Sequence, residues 1–291
     1  MGFKNQKSYQ GNNHSNHDRK RKRDVPTNAG LYYYSEGRSE NDGYGRYLPQ
    51  YSLFDLLDTN DKQRKIHSLD YSDYFKVQDA NQTFPLKTHY PGLIIGIGYV
   101  HAVAEPNDLD FQQGFFFDWT TGMPVIPGSS IKGVTRTIFP LKKESAKPDE
   151  HDSIVNEKCS YINCVLNQEL SLTQIRQLET QIYETKGDIF YDAYIIPPEH
   201  GKIFAEDYIT HHPSPFKEPI PLRHLKIATG ITFQFQFRLK DTVLKGDNAL
   251  TISSEQKKNL FRQTILDFGL GAKTNSGYGI FQAPKTKKRK K

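Results

Sequence analysis

The sequence contains little cysteine, methionine and tryptophan. Its 291 residues include two cysteines, two methionines and one tryptophan. Two thiols, Cys159 and Cys164, cannot form a disulfide framework in a chain of this length, so we expect reduced thiols in a cytoplasmic protein. A Cys-x4-Cys spacing without a second pair is also a poor zinc signal, so the sequence predicts no metal site and no cofactor.

Long hydrophobic runs are also missing. The longest apolar run, residues 93–100, spans eight residues and includes two glycines. A membrane-spanning helix needs about 20 apolar residues. The N-terminal segment is polar and lacks the hydrophobic region of a signal peptide. We therefore expect neither a membrane partner nor export.

Positive charge is concentrated at the two ends of the chain. The net charge is +6, of which residues 1–24 contribute +5 and residues 285–291 contribute +6, so the body carries −5. This excludes a uniformly basic, histone-like protein. We predict a basic, disordered arm over residues 1–48, one domain over residues 49–284, and a basic tail over residues 285–291. Charged or proline-rich insertions are expected at residues 141–170 and 197–222.

The hydrophobic pattern predicts an alternation of strands and helices. Residues 92–101 indicate a buried strand, and a helix with a serine N-cap should follow, ending near Phe139. Further on, strands are predicted at 187–196, 232–239 and 278–282. Helices are predicted at 172–185 and from an N-cap at Ser254 to about Phe268. Phe233, Phe235 and Phe237 alternate with polar residues and should face the core rather than stack on bases. The order predicts an α+β, ferredoxin-like (RRM-like) βαββαβ fold with long insertions.

A glycine-rich loop, Gly-Leu-Gly-Ala-Lys-Thr-Asn-Ser-Gly-Tyr-Gly, occupies residues 269–279. It does not match a phosphate-binding P-loop, because its lysine is misplaced and it lies before a strand instead of a helix. Free backbone amides, hydroxyls and one cation suit the phosphates of a polyanion. A purely structural turn that needs positive φ angles is the alternative. The predicted RNA-contacting residues are Gly269, Gly271, Lys273, Thr274, Asn275, Ser276, Gly277, Tyr278 and Gly279.

The start of the first predicted helix is the second candidate for RNA contact. Ser129, Ser130, Lys132 and Arg136 lie there, and a helix N-terminus with nearby cations can bind an anion. Simple capping by serine is the alternative. Lys132, Arg136 and Lys273 are expected to form one local cationic strip on the acidic body. His101, at the end of the first predicted strand, completes the predicted RNA contacts.

Two of these motifs carry a family resemblance. The loop at 269–279, just before the last strand, resembles the signature loop of the RAMP superfamily of CRISPR proteins. Residues 124–133, at the start of the first predicted helix, resemble a second characteristic motif of the same superfamily. Segments 186–194, 207–212 and 219–222 are most similar to the sixth-subunit group of RAMP proteins in Cmr-type (type III-B) effector complexes. The resemblance covers residues 90–284.

The resemblance implies a non-catalytic, RNA-binding subunit of a ribonucleoprotein in antiviral defence. Such a subunit contacts guide CRISPR RNA and target RNA near the guide 3′ end. It lies beside another RAMP subunit and the small helical subunits, and it caps the subunit filament. A different subunit of the complex cuts the target.

Two other functions stay open at this point. The first is a RAMP-family endoribonuclease, which would use His101 with His211 or His212 as an acid–base pair. An aspartate of the loop before the first helix could serve instead, and the candidates are Asp108, Asp110 and Asp118. The second is a general RNA-binding protein outside CRISPR, because ferredoxin-like sheets also serve RNA-recognition modules.

Overall fold

The computed structural model describes residues 76–95, 116, 118, 123–140, 148–185, 187–196, 203–211, 220–246 and 249–284. The strands are β1 (Gln82–Thr88), β2 (Val125–Ile126), β3 (Ile189–Phe190), β4 (Ala193–Ile196), β5 (Phe204–His211), β6 (Ile220–Ile227), β7 (Thr232–Arg238), β8 (Thr242–Leu244), β9 (Leu250–Ile252) and β10 (Phe281–Gln282). The helices are α1 (Gly128–Arg136), α2 (Pro148–Leu166), α3 (Leu172–Tyr183) and α4 (Ser254–Phe268). This mixture confirms the predicted α+β content. Among the described helices, none is long and apolar enough to cross a membrane.

One antiparallel sheet organises the domain. Its strands follow the order β10-β1-β7-β4-β2, and β3 also pairs with β7. Strands β5 and β6 form a separate hairpin, and β8 pairs with β9. The isolated bridge between Leu93 and Ile227 joins the hairpin to the segment after β1. Strand β7 lies at the centre, paired with β1 on one side and with β4 and β3 on the other.

The alternating pattern of β7 is confirmed as a core face. Phe233, Phe235 and Phe237 are fully buried, and Phe84 of β1 stacks on the latter two at centroid distances of 5.3 and 5.5 Å. The polar face of β7 is partly covered as well. Its Gln236 is 2% exposed and accepts a hydrogen bond from the backbone N–H of Val77. These phenylalanines therefore cannot form a base-stacking platform.

The helix boundaries agree with the predicted ones to within a few residues, but two caps differ. Helix α1 has Pro127 at its N-cap, without a side-chain cap, so the predicted serine cap is wrong. Helix α4 is capped by Ser253, one residue before the predicted Ser254, through a capping box with Gln256. Helix α3 has the same device at Ser171. A capping box satisfies two groups at the helix start that would otherwise lack partners.

Three segments differ from their predicted structure. The first strand of the sheet is β1, whereas the described part of 92–101 forms only the bridge at Leu93. The predicted insertion at 141–170 contains the 19-residue helix α2, because Val155, Ile162 and Leu166 recur on one buried side. The predicted insertion at 197–222 contains β5 and the start of β6. The remaining residues of both insertions lie outside the described ranges or in connections between elements.

A buried ion pair ties α4 to the segment before β3. The Lys257 ammonium donates to the Asp188 carboxylate at 2.6 Å, and their side chains are 1% and 0% exposed. The other oxygen of Asp188 accepts from the backbone N–H of Lys240 at 2.8 Å. Both charges are therefore compensated inside the domain.

Candidate functional site

The glycine-rich loop connects α4 to β10 and has an unusual backbone. Gly269, Gly271, Lys273, Gly277 and Gly279 all have positive φ angles, between 57° and 115°. At Gly279 a Cβ atom would lie 2.1 Å from the carbonyl oxygen of Leu270, and at Gly271 it would lie 2.4 Å from that of Ile94. Backbone therefore approaches both glycines closely, and this backbone belongs to the protein itself.

Many loop amides are engaged inside the protein. The N–H of Ala272 donates to the carbonyl of Ile94 at 2.7 Å, and the N–H of Gly279 donates to that of Gly92 at 2.9 Å. The amides that donate to backbone carbonyls are those of Gly269, Leu270, Ala272, Ser276, Gly277, Tyr278 and Gly279. The expected set of free amides is thus much reduced. Phosphate recognition by the loop would depend mainly on side chains.

The tip of the loop presents polar side chains to solvent. Residues 274–276 form a 3-10 turn, which Lys273 enters in the left-handed conformation. Lys273, Asn275 and Ser276 are exposed, and Thr274 is half-buried. Within the described part of the chain, Lys273 makes no ion pair. The structure therefore places one uncompensated cation beside two hydrogen-bonding side chains.

Tyr278 points the other way and anchors the loop to the β5–β6 hairpin. It is 7% exposed, and its hydroxyl donates to the Asp207 carboxylate at 2.8 Å. The same carboxylate accepts a hydrogen bond from Lys226, whose ammonium lies 5.7 Å from the centroid of the Tyr278 ring. The His224 ring packs edge-on against Tyr278. A direct RNA contact by Tyr278 stays a prediction. In the structure, its hydroxyl and ring contact other residues of the protein.

Burial and the hydrogen bonds of this cluster shift the pKa values of its acidic groups. Burial alone would raise the pKa of the Asp207 carboxyl, but hydrogen bonds from Lys226, Tyr278 and the backbone N–H of Tyr208 outweigh it, so this pKa lies below its ordinary value. Burial and the bond to Asp207 raise the pKa of the Tyr278 hydroxyl. Near neutral pH the carboxylate is therefore ionised and the hydroxyl keeps the proton that it donates.

The start of α1 differs from a simple anion site. The N–H of Gly128 donates to the Asp192 carboxylate at 2.7 Å, so an acidic side chain already lies at this helix N-terminus. Ser129 is exposed, and Ser130 and Lys132 are half-buried. Their RNA contacts stay predictions, and the carboxylate beside them disfavours a phosphate.

Arg136 forms ion pairs with two carboxylates, one in α3 and one just after it. Its guanidinium donates to Glu179 and to Glu184, each at 2.9 Å, and it lies 5.7 Å from the centroid of the Tyr183 ring. The hydrogen bond with Glu179 raises the pKa of Arg136. Two carboxylates compensate this charge, which makes Arg136 a weaker phosphate ligand than the sequence suggested.

The start of α1 and the glycine loop lie at opposite ends of the sheet. A Cβ at Gly128 would touch the carbonyl of Phe190, which is paired with Phe237 near the end of β7. The loop lies at the other end, where Lys87 pairs with both Thr232 and Gln282. The five residue-to-residue steps from Thr232 to Phe237 correspond to about 17 Å along a strand. The expected single strip of Lys132, Arg136 and Lys273 is therefore not formed.

The residues of the nuclease alternative are not brought together in the described structure. His101, Asp108, Asp110 and His212 lie outside the described residues. The backbone of His211 pairs with Ile220 at the far end of the hairpin, and the backbone N–H of Asp118 donates to the carbonyl of Met123. Among the described residues, no cluster of three histidine, cysteine or acidic side chains could hold a metal ion.

Asp207, Lys226 and Tyr90 were not predicted to belong to this site. Lys226 lies 6.0 Å from the centroid of the Tyr90 ring, so Tyr90 borders the same cluster. Asp207 and Tyr278 are 71 positions apart. Since no local periodicity links residues at that distance, only tertiary structure could reveal the contact.

Comparisons with known proteins agree on one family. The model of the RAMP superfamily matches residues 86–282. The CRISPR system CMR subunit Cmr6 of Saccharolobus solfataricus is 27% identical over 183 residues, which cover 61% of this chain and 51% of that protein. The chain thus spans about half the length of this curated relative.

Two solved structures are also similar, at lower identity. A chain of the cryo-EM structure of the type III-B Cmr-β complex bound to cognate target RNA is 22% identical, with a TM-score of 0.46 and coverage of 88% of this chain and 87% of that chain. The crystal structure of Cmr6 from Pyrococcus furiosus is 21% identical, with a TM-score of 0.40 and coverage of 70% and 97%.

Proposed function

Because the chain belongs to the RAMP superfamily, we propose that it is a non-catalytic, RNA-binding subunit of a type III-B CRISPR effector complex. The observation that carries this proposal is the exposed tip of the glycine-rich loop, held rigidly by its own backbone and by residues 92–94. Similarity to a Cmr6 subunit supports the type of complex. The proposed partners are guide CRISPR RNA, target RNA, and the other RAMP and small helical subunits.

The strand order supports a ferredoxin-like fold as part of this proposal. Strands β10, β1, β7 and β4 follow one another in the sheet, and all neighbouring pairs are antiparallel. In a split βαββαβ unit the fourth, first, third and second strands lie in this order, which supports the assignment of these four strands to such a unit. Helices α1, α2 and α3 lie in the first crossover, and α4 lies in the second.

The charge distribution supports binding to a phosphate backbone at the loop. The body has a net charge of −5, and several of its described cations are paired with carboxylates, namely Arg136, Lys226, Arg238, Lys257 and Lys258. Lys273 is exposed beside Asn275 and Ser276, which can donate further hydrogen bonds to phosphate or ribose. A local cation on a rigid loop positions an RNA strand without reading its base sequence. This suits a subunit that must accept guide RNAs of different sequence.

We further propose that the chain caps the subunit filament near the 3′ end of the guide RNA. In a filament, the body need not be basic, because RNA contacts come from one edge and the remaining surface meets protein neighbours. The acidic body of this chain fits that division. The basic arm and tail would add sequence-independent attraction to RNA.

Replacing Lys273 with alanine tests RNA binding by the loop. Loss of one phosphate contact should flatten the slope of log K against log[salt] by about 0.7 for a single strand. Affinity for single-stranded RNA, measured by fluorescence anisotropy over a salt series, should fall severalfold. Lys245→Ala is the matched control, since this lysine is also exposed but lies after β8.

Two results would contradict the proposal in different ways. Equal salt slopes for Lys273→Ala, Lys245→Ala and the unmodified chain would remove the loop from the RNA interface. Specific cleavage of the RNA in the same mixtures, with or without Mg²⁺, would show an endoribonuclease if it were lost in His101→Ala or Asp108→Ala.

A further inference from the structure

Tyr90 is the most exposed of the large hydrophobic side chains in the described part of the chain, at 73%. It lies just after β1, at the edge of the sheet where the glycine-rich loop is found. A tyrosine ring is a large, flat, amphipathic surface, and such rings are enriched where proteins bind other molecules. The location of Tyr90 beside an exposed cationic loop makes it a candidate contact.

The backbone on both sides of Tyr90 is fixed. On one side, the N–H of His89 donates to the carbonyl of Ile280 at 2.8 Å. On the other side, the carbonyl of Gly92 accepts from Gly279, and the N–H of Leu93 donates to Ile227 at 3.0 Å. The segment is thus held between the glycine loop and the β5–β6 hairpin. A ring presented by a fixed backbone loses little conformational entropy on binding, which favours affinity.

The surroundings of Tyr90 connect it to the loop. The Lys226 ammonium lies near both rings, 6.0 Å from the centroid of Tyr90 and 5.7 Å from that of Tyr278. A cation at this distance attracts an aromatic ring and helps to hold it in place. A Cβ at Gly277 would lie 3.6 Å from Pro91, so the loop passes close to the residue next to Tyr90.

We propose that Tyr90 stacks on an unpaired base of single-stranded RNA while the tip of the glycine loop binds the neighbouring phosphates. This inference rests on the proposed function and adds the type of strand that the site accepts. Aromatic stacking combined with a cationic backbone contact is the usual mode of binding to single strands, and it tolerates any sequence because every base has a π-face. The bases of a continuous duplex are already stacked and cannot offer a face to Tyr90.

The inference is tested on the full chain with short single-stranded RNAs that carry one 2-aminopurine. Tyr90→Ala should weaken binding by about 5- to 150-fold, the effect of losing one base–aromatic stack. The salt slope should stay unchanged, and 2-aminopurine should lose its binding-induced quenching. Tyr90→Phe should retain both affinity and quenching, because the ring remains. Tyr191→Ala, at the opposite end of the sheet, is the control and should bind normally.

The outcomes distinguish failure of the inference alone from failure of the proposed function. If Tyr90→Ala binds single strands normally while Lys273→Ala does not, the stacking role is wrong and RNA binding by the loop stands. If neither change affects binding, both ideas fail. If Tyr90→Ala binds RNA normally but no longer assembles with the neighbouring subunits, this surface binds protein and the inference is overturned.

Discussion

Replacing Asp188 with alanine is expected to lower the free energy of unfolding by about 3–5 kcal/mol. The change leaves the Lys257 ammonium, which is 1% exposed, without its counterion in the core. It also removes the acceptor for the backbone N–H of Lys240. Desolvating an unpaired charge costs far more than the pair itself contributes, and this asymmetry makes the expected effect large. Chemical denaturation of the purified chain measures it.

Two further variants show whether burial of the charges causes this loss of stability. The double change Asp188→Leu with Lys257→Met removes both charges and should recover most of the stability. Glu255→Ala breaks the Lys258–Glu255 pair, whose side chains are 19% and 59% exposed. That loss should stay below about 1 kcal/mol, as for other exposed pairs. A small effect of Asp188→Ala, similar to that of Glu255→Ala, would contradict a dry, tightly coupled ion pair.

Replacing Gly279 with alanine is expected to displace the glycine-rich loop. The residue has a φ angle of +71°, and the new Cβ would lie 2.1 Å from the carbonyl oxygen of Leu270. The strained backbone alone costs about 1–3 kcal/mol. Relief of the clash also requires movement that breaks the hydrogen bond from Gly279 to Gly92. RNA affinity should therefore fall more than in Lys273→Ala, because the whole tip moves together with Lys273.

Gly277 and Gly133 provide the matched controls for this change. Gly277 has a φ angle of +89°, but its nearest neighbour would be 3.6 Å away, so Gly277→Ala adds backbone strain without a clash. Gly133 lies on the exposed side of α1 with nothing within 4 Å, and Gly133→Ala should stabilise the protein by about 0.5–1 kcal/mol. If Gly279→Ala melts and binds RNA like Gly277→Ala, close backbone packing does not determine the loop conformation.

The sequence predicted the elements whose pattern was strong and missed those whose pattern was weak. Strand β7 alternates strictly between phenylalanine and polar residues, and it was identified almost to its ends. Strand β1 has the same alternation in Phe84, Leu86 and Thr88, all buried, but Pro85 interrupts it. Proline usually excludes a central strand, and the nearby run at 93–100 is more apolar. Local composition thus placed the first strand later in the chain than β1, the first strand of the described sheet.

The candidate site was predictable in its residue types but not in its partners. The glycines and Lys273 stand out along the chain, and the structure confirms that the backbone there is unusual. Nothing local shows that Arg136 meets Glu179 or that Tyr278 meets Asp207. These contacts join residues 43 and 71 positions apart. They decide which charges are already paired inside the protein, so a count of cations in the sequence does not show which of them are available to a ligand.

Ultraviolet cross-linking of the full chain to single-stranded RNA, followed by mass spectrometry of the cross-linked peptides, tests the central claim most directly. The account predicts cross-links at Tyr90 and within residues 269–282, and their loss in Gly279→Ala. Cross-links found solely in the basic ends, residues 1–24 and 285–291, would contradict it, because RNA would then bind by charge alone and the loop would be a structural turn.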